Sequence, residues 1–233
     1  MEHIIESYLS FISNPHFPCV AARAAYARKQ VKCFVAGNMA CPANDKMILD
    51  FIYDFVEEYR KEKTIYHSAT IIFTGPTIPD EAYFDKLLWL RLQALSDLDA
   101  EKYGYDNRVS DDPTSPDFSF SLKEEAFFVI GLHPASSREA RRFAYPTIVF
   151  NPHDQFEMLR QQNHYEKMKR TVRKRDLKLS GSINPMLDDY GVSPETLQYS
   201  GKKYESNWQC PLHISHAKSK HNSTPQRSGV HDR

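Results

Sequence analysis

The sequence contains no run of about 18 apolar residues, the length a helix needs to cross a bilayer, so no membrane span is expected. Nor does it carry excess charge. Its 30 lysines and arginines balance 30 aspartates and glutamates, which removes the global electrostatic footprint of a general nucleic-acid binder. The first residues, MEHIIESYLS, hold Glu2 and Glu6 and lack the basic segment and apolar core of a secretory signal, which leads to the expectation of a cytoplasmic protein. Cys19, Cys33, Cys41 and Cys210 include no C-x-x-C pair, a spacing that is neither a zinc site nor a disulfide framework, so free thiols are expected. Also missing are G-x-G-x-x-G, the P-loop, G-x-S-x-G and H-E-x-x-H, and with them the main support for the common nucleotide, hydrolase and zinc-protease readings.

What is present reads as one domain with embellishments, since 233 residues amount to about one and a half average domains and can bury a core without staples. Ile4, Ile5, Tyr8, Leu9 and Ile12 have the three-and-four spacing of an amphipathic helix that stops at Asn14-Pro15. A second helix is predicted over 20–32, with Pro18 near its first turn and Cys19 at its N-terminus. Strands are predicted at 32–36, 69–73, 126–130 and 146–150, and helices at 46–61, from Pro79 to about 103, and from Asp154 to about 175. The Asp-, Pro- and Ser-rich stretch 106–121 reads as an extended surface loop, and the chain turns loop-rich after Gly181. The expected fold is α/β, or α+β: a single layered domain over 1–213, with a mixed sheet flanked by helices, and a disordered polar tail over 214–233.

Two of the buried strands run into a polar cluster with a histidine next to a proline: GLHP carries His133 and NPH carries His153. Ligands of open α/β sheets gather outside the carboxyl ends of strands, so both histidines are candidates for a site. Rigid imidazoles there suit metal or heme ligation and general-base work, the plain alternative being a hydrogen-bonded loop residue. Cys19 at a helix N-terminus has its thiolate favoured by the dipole and the free amides, against the alternative of a small buried hydrophobe. Ser136-Ser137-Arg138, with Arg141 and Arg142, reads as a helix start that binds carboxylate or phosphate. The basic run Lys167, Lys169, Arg170, Arg173, Lys174 and Arg175 is either a solvated face or an anion-binding one.

Several strings in order, NPHFPC at 14–19, FFVIGLHPASSREARRF at 127–143, PTIVFNPHDQFEMLR at 146–160, RDLKLSGSINPMLDDYG at 175–191, QYSG at 198–201 and W-x-C-P at 208–211, resemble the YqcI/YcgG family. The resemblance extends to heme-dependent guanitoxin-type and FPC-type arginine N-hydroxylases. It implies a heme b monooxygenase that uses dioxygen and inserts one oxygen atom into an N–H bond of an arginine-like or guanidino substrate. Candidate axial ligands from the matched strings are Cys19, His133 and His153, one or two of them on the iron. Arg138, Arg141 and Arg142 are candidates for the propionates or a substrate carboxylate, and Trp208 for the pocket wall. Asn184 is a candidate donor to oxygen on the iron. Glu157 leads the acidic candidates for a guanidinium, beside Asp111, Asp112, Asp188 and Asp189. With no flavin or nicotinamide fingerprint in the chain, the electrons have to come from an external reductase or ferredoxin, and a homodimer is left open. Two rivals stand beside this expectation: a heme- or gas-binding sensor without turnover, and a cofactor-free enzyme with Cys19 as nucleophile and His133 or His153 as base.

Overall fold

The computed structural model describes residues 1–182 and 191–216. In chain order its elements are α1 (Glu2–Ser13), α2 (Val20–Ala27), β1 (Val31–Asn38), α3 (Asp45–Lys61), β2 (Ser68–Gly75), α4 (Glu81–Ala100), β3 (Phe120–Leu122), β4 (Glu125–Leu132), β5 (Thr147–Pro152), α5 (Asp154–Gln161), α6 (Tyr165–Ser180) and α7 (Thr196–Tyr199). The strands form one mixed sheet in the order β1-β2-β5-β4-β3. β1 and β2 are parallel, which requires a crossover, and α3 supplies it. The β2–β5, β4–β5 and β3–β4 pairs are antiparallel.

Strand alternation sorts the core into two faces. Ala36, Ile71, Phe73, Phe127, Val129, Ile148 and Phe150 point toward α3 and α4. Ile72, Ile130, Leu132 and Val149 point the other way, where α1 lays Ile4, Tyr8 and Ile12 over them. α3 buries Ile48, Ile52, Phe55, Val56 and Tyr59 at helical spacing. α4 begins at Asp80, whose carboxylate accepts the Tyr83 N–H at 2.8 Å and satisfies one of the free amides of the first turn. Arg91, buried on α4, is neutralised by Asp45 at the start of α3 and also donates to the Met39 carbonyl at 2.8 and 3.2 Å. Removing either partner leaves an uncompensated buried charge, so this pair locks the two helices together.

Five segments differ from the sequence reading. The helix expected over 20–32 ends at Ala27, Lys29 takes a left-handed backbone (φ 58°), and β1 begins at Val31. The helix expected from Asp154 to about 175 is two helices, α5 and α6, broken where Asn163 takes a left-handed backbone (φ 57°), a conformation asparagine tolerates better than most residues. The expected helix start at Ser136 makes only a single 3-10 turn, Glu139–Arg141. The loop expected over 106–121 is clamped onto the sheet: Phe118 and Ser119 are fully buried, and Phe120–Leu122 is β3, paired with β4. Packing at the C-terminal side continues past residue 214 as far as His216, whose Nε2 lies 2.9 Å from Asp99 Oδ2 in the core. Residues 217–233, where a disordered tail was expected, lie outside the described residues.

Candidate functional site

The antiparallel pairing of β4 and β5 decides where the two histidines go. Leu132, just before His133, pairs with Thr147, whereas the backbone N–H of His153 donates to the Ala126 carbonyl at 2.8 Å, at the other end of the same strand pair. Seven strand residues, roughly 20 Å, lie between the two positions. The strand-end rule holds for parallel strands, so here it cannot bring both imidazoles to one site.

A cavity of about 300 Å³, within the size range of small-molecule sites, lies on the α1 and α2 face of the sheet. Its floor is Phe128, Ile130 and Leu132 of β4 with Val149 and Asn151 of β5. Tyr8, Ile12, Phe17, Cys19, Ala22 and Ala25 form one wall, and α5 and α6 close the other. α6 contributes Tyr165, Met168, Lys169, Val172, Arg173 and Asp176, the three-and-four spacing of one helix face. The basic run is thereby split. Lys169 and Arg173 face the cavity, while Lys167, Arg170 and Lys174 are exposed.

His153 lies in the cavity wall, and the polar groups around it fix its ring. Ser119 Oγ sits 3.0 Å from His153 Nδ1 and donates to Glu195 Oε2 at 2.8 Å, and Glu195 also receives the Tyr199 hydroxyl at 3.2 Å. A serine hydroxyl has one hydrogen. Given to Glu195, it leaves the oxygen to accept from Nδ1–H, which assigns the tautomer and puts the ring's lone pair on Nε2. This is the arrangement in which a carboxylate, through a neighbouring group, orients a ligating imidazole. It is not a hydrolase triad, because Ser119 and Glu195 both lie on the Nδ1 side of the ring.

Cys19 also lines the cavity, as the N-cap residue of α2, with Sγ accepting the Ala22 N–H at 3.5 Å. The expected thiolate preference is overturned here. Burial pushes the thiol up and outweighs the amides of Ala22 and Ala21, because desolvating a charge costs more than one helix end returns.

His133 is not on the cavity wall. It is buried at the opposite end of β4, stacked on Phe84 with centroids 4.2 Å apart, and burial pulls its pKa down to about 4. Among the described residues its Nδ1 has no hydrogen-bond partner.

Arg138 and Arg141 line the cavity and Arg142 does not, and all three are engaged within the fold. Arg141 donates to the Gln198 and Tyr199 carbonyls at 2.7 and 2.9 Å, Arg138 to Asp176 and the Ser182 carbonyl, and Arg142 to the Ser136 carbonyl at 2.9 Å. Arg138 and Arg141 tie Asp176, Ser182, Gln198 and Tyr199 to the segment after β4, and Arg142 closes its own loop, so none of the three presents an open fork to a ligand. Burial lowers the Arg141 guanidinium to about 10, which leaves it charged at neutral pH.

Glu157 stands 3.9 Å from His153 Nε2 on α5, is held by Arg160, and does not line the cavity. Asp112 accepts the Thr114 N–H at 2.9 Å in an exposed turn, and neither it nor Asp111 lines the cavity. Trp208 packs on the far side of the sheet, stacked on Tyr204 at 3.8 Å. Asn184, Asp188 and Asp189 lie outside the described residues.

The sequence reading missed Ser119, Asp176, Glu195 and Gln198. Ser119 was hidden in a Pro- and Ser-rich stretch, although Phe118, Phe120 and Leu122 alternate with Ser119 and Ser121 at strand period. Glu195 follows Pro194 as part of an ordinary helix start and carries no local signal.

Fold and site together define an α/β protein with an apolar cavity on one face of a mixed sheet, walled by helices; among the described residues its lining holds the Cys19 thiol and two imidazoles, His153, oriented by Ser119, and His67, whose Nε2 is taken up by Gln30 at 2.9 Å and Thr64 at 2.8 Å. The chain belongs to the YqcI/YcgG family, whose model matches residues 8–213. No curated protein and no solved structure matches it. No helix among the described residues is long and apolar enough to cross a membrane. No group of three or more His, Cys, Asp or Glu among them could hold a bare metal ion.

Proposed function

We propose that the cavity takes heme b and that the protein is a cytoplasmic, oxygen-dependent N-hydroxylase of an arginine-like or guanidino substrate, supplied with electrons by an external reductase or ferredoxin. The observation that carries this reading is His153, an imidazole with its tautomer fixed by Ser119 and Glu195, in the wall of an apolar cavity. The residues present fit the group. A porphyrin supplies four of the iron's ligands itself and needs one or two donors from the protein, so the lack of a larger donor cluster is no obstacle. The walls are apolar and aromatic, and Arg160, paired with Glu157, and Lys169, paired with Glu166, bring positive charge to them beside Arg173.

In this reading His153 would hold the group through its imidazole nitrogen, and Cys19 is the other donor side chain in the wall. Heme b bound there would supply the activation of dioxygen. Phe17, Phe128, Ile130 and Val172 exclude water from the reacting region. Glu195 is a carboxylate in the cavity wall that accepts from Ser119 and Tyr199 through Oε2, and it is the acidic partner for a guanidinium, since Asp176 is already paired with Arg138. Glu195 thus takes over the role that the sequence suggested for Glu157. Burial holds Cys19 as a thiol, which weakens the cofactor-free alternative with a cysteine nucleophile.

The test is a spectrum. The protein expressed with heme supply, reduced and placed under carbon monoxide, should give a Soret band at the globin position, as expected for imidazole. His153→Ala should lose heme or shift the band, and His133→Ala should do neither. A strongly red-shifted band that disappears in Cys19→Ala transfers the ligand to sulfur, and a colourless protein overturns the reading.

A further inference from the structure

The chain has two tryptophans and both lie in one aromatic line that ends at the cavity. Phe128 lines the cavity, and the ring of Tyr199 stands edge-on behind it, centroids 6.0 Å apart. Trp89 of α4 follows at 6.1 Å from Tyr199, and Trp208 at 5.7 Å from Trp89. Trp208 is only partly buried and is stacked on Tyr204 at 3.8 Å.

We propose that Tyr199, Trp89 and Trp208 form a charge-transfer chain that carries an oxidising equivalent from the cavity to the protein surface. Indole and phenol rings are readily oxidised by one electron, and electron transfer falls steeply with distance, so a series of rings in near contact conducts where a single long step does not. Aromatic clusters are common in cores, but two features set this one apart. It runs without a gap from cavity wall to surface, and its buried members have carboxylate proton acceptors. The Tyr199 hydroxyl donates to Glu195 Oε2 at 3.2 Å, the Trp89 Nε1–H donates to Asp85 Oδ1 at 2.9 Å, and the Tyr204 hydroxyl also donates to Asp85. One-electron oxidation makes a phenol or an indole strongly acidic, so a base already hydrogen-bonded to it lowers the barrier.

The steps balance. An oxidant in the cavity, on the heme reading a peroxide-oxidised heme, would take one electron from Tyr199, and the phenolic proton passes to Glu195. Trp89 then gives an electron to Tyr199, which recovers its proton from Glu195, while the Trp89 Nε1 proton passes to Asp85. Trp208 gives an electron to Trp89, Asp85 returns the proton, and a reductant in solution, such as a thiol, refills Trp208. The net result is one electron moved from the solution reductant to the oxidant.

The direction of flow rests on the heme reading, whereas the conducting line does not, and the experiment separates the two. With the full chain in solution, flash-generated tris(bipyridine)ruthenium(III) oxidises Trp208 from outside, and transient absorption follows the tryptophan radical. In a Tyr204→Phe protein, where Tyr199 is the tyrosine left on the line, the tryptophan radical should decay into a tyrosyl radical. Adding Trp89→Phe should slow that conversion at least tenfold, and adding Tyr199→Phe should abolish it. Trp208→Phe gives the baseline from directly oxidised surface tyrosines, and melting curves confirm that each variant is folded. Equal decay with and without Trp89 overturns the chain. In heme-loaded protein treated with peroxide, mass spectrometry should find oxygenated Trp208, reduced at least fivefold by Trp89→Phe. Failure to take up heme sinks the cofactor reading alone, because the flash experiment still decides the chain.

Discussion

Replacing Gly201 by alanine tests whether the QYSG segment positions the cavity arginine. Gly201 has φ 84°, and a Cβ there would lie 2.6 Å from Arg141 Cδ and 3.1 Å from its Nε and Nη1. Two costs add. An L-residue in the left-handed region costs about 1–2 kcal/mol. Moving Arg141 weakens charged hydrogen bonds, to the Gln198 carbonyl at 2.7 Å and the Tyr199 carbonyl at 2.9 Å, and one such bond is worth about 1.5–3 kcal/mol. A total of about 3–5 kcal/mol, at about 2–4 °C per kcal/mol for a chain of this size, lowers Tm by about 6–20 °C. Gly181→Ala is the matched control, because its φ is 70° and no atom of the described residues lies within 4 Å of the added Cβ. It carries the backbone cost alone, so its Tm should fall by about 2–8 °C. Loss of glycine's freedom in the unfolded chain affects both variants alike and cancels in the difference. Calorimetry of the two variants measures that difference, and equal shifts would refute the claim that Gly201 keeps its place for Arg141.

Two further outcomes follow from the buried polar groups. His133 has a folded pKa of about 4 against an ordinary value of 6.5, so below pH 6.5 the unfolded state binds a proton that the folded state does not. Its contribution is complete above pH 6.5 and is lost as pH falls toward 4, by about 3 kcal/mol, so urea titrations across that window should show a shallower acid loss in His133→Gln than in the parent. Ser119→Ala removes one donor from buried Glu195 and the acceptor of the His153 ring, which should cost about 1–3 kcal/mol in stability and, on the proposed heme reading, weaken heme binding about 10–100-fold. Heme titration followed at the Soret band checks the second effect, and unchanged affinity would remove Ser119 as the group that orients His153.

The elements were largely legible because hydrophobic period is a local property. The spacing of Ile48, Phe51, Ile52, Phe55 and Tyr59 marks α3, and the β-branched run at Thr70, Ile71 and Ile72 marks β2, with neighbours two to four residues away supplying the signal. Where composition misled, period was the better guide: the alternation around Ser119 was that of a strand, while the surrounding Asp, Pro and Ser suggested a loop. The site was legible only in part. Cys19, His153, Arg138 and Arg141 do meet at one cavity, but the sequence offered His133 beside His153 because both histidines follow a buried strand.

The sequence by itself determined the α/β class, the amphipathic faces and the family, since each depends on residue types at short spacings or on strings that match in order. The direction in which β4 and β5 run was settled only by tertiary structure, and direction is what sends His133 and His153 to opposite ends of the sheet. Tertiary packing also decided the protonation chemistry. The helix end beside Cys19 is a sequence-level feature, but the desolvation that outweighs it comes from chain segments far away in sequence. Likewise Ser119, His153 and Glu195 are separated by 34 and 76 residues along the chain, and only folding puts them within hydrogen-bond reach of one hydroxyl.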